Sequence, residues 1–101
     1  MTDYTGKKIA ANYFRGKMAV GGRVTFGESA LTFHPHLFNL SHKDETIAYA
    51  DMQTVGGRDT LGLVSNGVLI VTKDGTEHKF VVNGRDKVVE FLQSKLTPAA
   101  Q

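Results

Sequence analysis

Residues 75–96 read GTEHKFVVNGRDKVVEFLQSKL, and the hydrophobic period changes in the middle of them. His78, Phe80 and Val82 alternate with Glu77, Lys79 and Val81, the period of two of a half-buried strand. Beyond them the apolar residues recur at helical spacing: Val88, Val89, Leu92 and Leu96, with Phe91 beside them. Asn83 is the expected N-cap. Asp86, three positions on, meets the orphan N–H groups and the positive end of the helix dipole. Pro98 cannot continue the helix. The upstream chain reads as short strands. The expectation is therefore an all-β body closed by one C-terminal helix, whose apolar stripe lies on the sheet.

Working outward, Asn12 to Val20 reads as the first strand, with Phe14, Met18 and Val20 sharing one face and Tyr13, Arg15 and Lys17 the other. Gly16 marks a bulge or bend in it. Gly21-Gly22 reads as a tight turn, followed by a strand from Arg23 to Phe26 with Val24 and Phe26 inward. After a turn at Gly27-Glu28-Ser29, Ala30 to His34 forms a strand led by Leu31 and Phe33, and Pro35 breaks it. A connection from His36 to Glu45 leads to a strand at Thr46–Ala50, and Val55 returns to the core. Gly56-Gly57 reads as a turn or bulge and Ser65-Asn66-Gly67 as a turn. Val68–Thr72 is an apolar strand, joined by the hairpin turn Lys73–Thr76 to the strand already described. About seven strands and one helix suit a strongly bent sandwich or partly open barrel with one mouth plugged by the helix. Met1–Lys8 is expected to be a flexible tail, residues 9–96 the domain, and residues 97–101 a second tail.

A chain of 101 residues suits one domain. The net charge of +2 is spread among mixed charges, without the basic stripe of a nucleic-acid binder, so no nucleic-acid partner is expected. The absence of cysteine excludes disulfides, thiol catalysis and thiolate-ligated metal. No apolar run approaches a membrane span, and MTDYTGKKIAA lacks the apolar stretch of a signal peptide. A cytoplasmic protein is expected, peripheral to a membrane where it binds one.

The pieces ANYFRGKMAVGG, LTFHPH, IAYADMQTV, LVSNGVLIVTKDG and HKFVVNGRDKVVEFL, in that order, resemble the GRAM domain of the pleckstrin-homology-like superfamily. The resemblance runs from about Ile9 to Leu96. It implies a seven-stranded, two-sheet barrel with a C-terminal capping helix, and a binding module for lipid headgroups or proteins rather than an enzyme. It also implies an anion site on the first two strands. Lys17 and Arg23 fall at that place, with Arg15 beside Lys17, while Thr25 stands where a further arginine is usual.

The candidate sites follow. Arg15, Lys17 and Arg23 form the candidate anion-binding set, because a guanidinium offers paired donors and an ammonium a point charge. The competing reading is a strand face kept polar for solubility. Leu37, Phe38 and Leu40 make the long connection more apolar than a solvated loop needs, so they are the candidate interface. The competing reading there is that they fold back to seal the barrel. His34 and His36 share a face, but Pro35 lies between them and nothing completes a ligand set, so no metal is expected. His78 is expected inward and hydrogen-bonded. No arranged nucleophile, base and acid is legible, and neither glycine pair leads into a helix that would make a phosphate loop. The chain thus reads as a non-catalytic module without a cofactor that binds an anionic lipid headgroup or membrane surface. The alternative is a protein-interaction or homo-oligomerisation module, acting through an exposed strand edge or the 37–40 loop.

Overall fold

The computed structural model describes residues 2–36, 43–60 and 64–96, with backbone alone at 58–60 and 64–66. The candidate interface residues Leu37, Phe38 and Leu40 and the 97–101 tail lie outside the described residues.

Seven antiparallel strands and one helix are formed by the described residues: β1 (Lys8–Arg15), β2 (Met18–Phe26), β3 (Ala30–Pro35), β4 (Glu45–Ala48), β5 (Met52–Thr60), β6 (Val64–Thr72), β7 (Glu77–Val82) and α1 (Arg85–Gln93). A 3₁₀ turn at Tyr49–Asp51 links β4 to β5. The strand order is β4-β3-β2-β1-β7-β6-β5. Because β1 bonds to both β2 and β7, the strands form one continuous sheet, curled into a half-barrel.

The concave face holds the core. Phe26, Leu31, Phe33, Met52, Val68 and Ile70 are nearly inaccessible, and Val88, Phe91 and Leu92 of α1 close over them. Phe91 stands edge-on to Phe26 at 5.5 Å between centroids. The helix also guards an outer strand, since Gln93 Nε2 donates to the Val55 carbonyl at 2.7 Å. An unpaired carbonyl on an edge strand is thereby satisfied from within the fold.

Several local expectations are corrected. The chain reverses at Gly16-Lys17, where Gly16 takes φ +63°, so the stretch from 12 to 20 is strand, turn and strand. That turn inverts the expected faces on β1, while Val20 on β2 is buried as expected. Tyr13 is buried and Phe14 only half-buried, while Met18 is 60% exposed. Tyr13 tolerates burial because its hydroxyl has a partner, His78 Nδ1 at 2.8 Å, and its ring packs on Phe80 at 4.7 Å. Gly21-Gly22 lies inside β2, Gly56-Gly57 inside β5 and Ser65-Asn66-Gly67 inside β6.

The helix begins one residue later than expected. Gly84, at φ +68°, turns the chain out of β7, and its carbonyl accepts from Lys87 and Val88. A left-handed residue was needed there, and glycine adopts it without strain. The Met1–Lys8 stretch is not a loose tail throughout. Tyr4 is 9% exposed and packs on Phe26 and Phe91 at 5.2 and 5.6 Å, and Gly6 N–H bonds the Phe26 carbonyl.

Candidate functional site

The sheet does not bring Arg15, Lys17 and Arg23 together. Arg15 pairs with Met18 and Arg23 with Ala10, so the two arginines sit five positions apart along the β1–β2 hairpin. At the rise of an antiparallel strand that separation is about 17 Å. They also occupy opposite faces. Arg15 shares the face of Tyr13, with its guanidinium 5.4 Å from the Tyr13 ring centroid, and Nη2 donates to the Lys43 carbonyl. Arg23 shares the convex face with Ala10 and is exposed. Lys17 stands exposed at the tip of the turn.

A different constellation surrounds Arg23. Lys8 pairs with Thr25 and so lies diagonally across β1 from Arg23. On the other side, His34 of β3 is directly opposite Arg23. His36 follows two residues later, its N–H held by the Gly21 carbonyl at 3.0 Å. Directly opposed residues stand about 5 Å apart at Cβ and diagonal ones about 7–8 Å, within reach of one small anion for side chains of this length. Lys8, Arg23, Thr25, His34, Pro35 and His36 line a shallow convex-face depression of about 280 Å³. Thr25 Oγ1 is buried there and has no hydrogen-bond partner among the described residues. One carboxylate adjoins the group, since His34 Nδ1 meets Asp44 Oδ2 at 2.9 Å.

Lys8, His34 and His36 are the site residues the sequence did not single out as anion ligands. From the sequence, His34 and His36 stand out only as possible metal ligands. Asp44 engages His34 alone of the two, and no group of three metal-binding side chains stands together among the described residues. The signal that could have found them is the β2–β3 register, which follows once the Gly27–Ser29 turn is fixed.

The concave side of the sheet carries a second polar group. His78 is 9% exposed, and burial lowers its pKa, while Glu45 and Asp74 pull the other way. Tyr13, its partner, is pushed up to about 12, chiefly by burial. Tyr13 therefore keeps its hydroxyl proton, and its oxygen and His78 Nδ1 share one hydrogen bond. His78 also lines a depression shared with Glu45, Thr72, Lys73 and Asp74.

No protein-family model matches the chain. No curated protein matches it. Among solved structures, the C-terminal domain of an unknown protein from Leishmania infantum is similar in fold, with a TM-score of 0.75 at 14% sequence identity. The match covers 88% of this chain and 80% of that one. At that identity the likeness is one of fold alone. Among the described residues, no helix is long and apolar enough to cross a membrane.

Proposed function

We propose that this chain is a non-catalytic module of GRAM type that docks on an anionic lipid surface, and that it does so with the convex face of β1, β2 and β3. The observation that carries this reading is the register that sets Lys8, His34 and His36 around Arg23. The strand order and the C-terminal helix over the concave face support the pleckstrin-homology-like assignment that the resemblance implies. The docking face is rebuilt relative to the sequence expectation. Arg23 stays in it, Lys8 joins it, and Arg15 leaves it for Tyr13 and the Lys43 carbonyl.

The mechanism is electrostatic attraction followed by charge-assisted hydrogen bonds from the Arg23 guanidinium to phosphate oxygens. A basic residue near an anionic membrane surface contributes about 1 kcal/mol, so each charge removed weakens binding about fivefold. Co-sedimentation with phosphatidylcholine vesicles, with and without phosphatidylglycerol, tests it near neutral pH. Lys8→Ala/Arg23→Ala is expected to lose about 25-fold in affinity, and Lys17→Ala, at the turn tip, much less. Raising the salt until the screening length falls to about 3 Å should abolish the difference between the two vesicle types. Equal binding to neutral and anionic vesicles at low salt would sink the proposal.

The rival reading, strand addition to a protein partner or a second copy, needs a free sheet edge. Of the two outer strands, β5 has its Val55 carbonyl occupied by Gln93. That contact disfavours strand addition along β5 at that point.

A further inference from the structure

We infer that the convex face binds its anion together with protons, because His34 and His36 complete the site only when they are charged. This rests on the reading of that face as anion-binding and adds a regulation to it. Arg23 has imidazoles on its β3 side, directly opposite at position 34 and diagonal at 36, and both side chains are exposed. The ring of His36 sits over the β2 backbone, where a Cβ placed on Gly21 would stand 3.6 Å from His36 Cδ2. The ring of His34 is oriented by Asp44, which engages Nδ1 and leaves Nε2 for a ligand.

The charged groups around these rings act in opposing senses. Lys8 on β1 and Arg23 on β2 bring positive charge beside these rings, and Asp44 before β4 brings a negative one beside His34. Thr32 and Thr46, the next residues on the same face of β3 and β4, are neutral and bonded to each other. An anion seated against Arg23 reverses the repulsion. It offers each imidazolium a partner that the neutral ring cannot use as well. The bound state therefore holds protons that the free state releases. By linkage, a ligand that favours the protonated form binds more tightly as that form is populated. Imidazole is the side chain that changes charge between about pH 5 and 8, so affinity for an anionic surface rises as pH falls through that interval.

The test uses vesicles of phosphatidylcholine with phosphatidylglycerol, whose phosphodiester keeps its charge across the interval, at constant ionic strength. Wild type, His34→Gln/His36→Gln and Arg23→Ala are sedimented at about pH 7.5 and about pH 5.5, on the two sides of the imidazole range. Wild type is expected to bind about 5- to 25-fold more tightly at the lower pH, the effect of one or two added cations. The double histidine variant should change less than about twofold. Binding that depends on phosphatidylglycerol and Arg23, but rises equally with acid in wild type and histidine variant, overturns the proton linkage and leaves the anionic docking intact. No phosphatidylglycerol-dependent binding at either pH overturns both. Because both histidines are exposed, the variant is expected to keep the fold, which far-UV circular dichroism at each pH verifies.

Discussion

Replacing Gly22 with alanine should damage this fold far more than replacing its neighbour Gly21. Gly22 sits inside β2, paired with Ala11 on one side and Pro35 on the other. A Cβ on Gly22 would point into the core. It would lie 2.7 and 2.8 Å from Cζ and Cε1 of Phe33 and inside contact distance of the His34 carbonyl oxygen. Neither obstacle is a flexible side-chain end. Phe33 is 0% exposed, and the carbonyl belongs to the backbone of β3. Relief requires β3 to move away from β2, at the cost of the pairs on either side of the contact. Overpacking costs typically about 1–3 kcal/mol, and an obstacle in the backbone places this case at the upper end, about 3 kcal/mol. At Gly21 the new Cβ would meet only Asn12 Oδ1 at 3.4 Å and His36 Cδ2 at 3.6 Å, ordinary contacts. Without a positive φ to lose, Gly21→Ala should be neutral or stabilise by up to about 1 kcal/mol through the unfolded chain. Urea unfolding of the two variants should therefore differ by about 3–4 kcal/mol, a large share of the stability of a small domain. If Gly22→Ala unfolds within about half a kcal/mol of Gly21→Ala, the close approach of β3 to β2 is not real, and the pair behaves as the tolerant turn its composition suggests.

The helix gives a second prediction. Leu92 is 2% exposed beside Val88 and Phe91, so Leu92→Ala should cost about 2–5 kcal/mol in urea unfolding, and a loss under about half a kcal/mol would mean that α1 is not docked. A third concerns acid. Burial lowers the folded pKa of His78, so the unfolded chain takes up its proton first as pH falls. Stability from this site is complete above the ordinary imidazole range and is lost on going down through that range toward the folded value. Wild type should show a lower urea midpoint at about pH 5 than at about pH 7.5, and His78→Gln should flatten that slope; equal slopes would remove His78 as the cause.

The fold class was legible because it depends on periods that survive local errors. The change from alternation to helical spacing between His78 and Leu96 is long, and its strand and helix are where the pattern puts them. Glycine misled the reading elsewhere. Composition cannot separate a glycine that turns the chain from one that lets two strands approach. Gly16 and Gly84 have positive φ and reverse the chain, whereas Gly22 and Gly57 lie in strands under Phe33 and Arg85. Once Gly21-Gly22 is taken for the turn, Gly16 must be a bulge, and the register on β1 slips so that Phe14 replaces Tyr13 in the core. Tyr4 was illegible for another reason. Its burial depends on Phe26 and on Phe91, which is 87 positions away in sequence.

The same pleat takes the expected cluster apart and brings other residues beside Arg23. In one strand from Asn12 to Val20, Arg15 and Lys17 share a face, and Arg23 is close beyond a short turn. In the hairpin, the two-residue turn at Gly16-Lys17 sends β2 back along β1, and each further residue carries Arg23 away from Arg15. Arg23 lies five residues after Met18, and that odd step also puts the two arginines on opposite faces. The separation that dissolves the expected clamp delivers Arg23 to a row shared with His34 and next to Lys8. Arg15, by contrast, spends its guanidinium on the Lys43 carbonyl and the Tyr13 ring. Cations with internal partners hold a fold together, while cations whose neighbours are other cations and exposed imidazoles store repulsion that an external anion relieves. On that ground the convex face, rather than the hairpin tip, is the place we propose for an anionic partner.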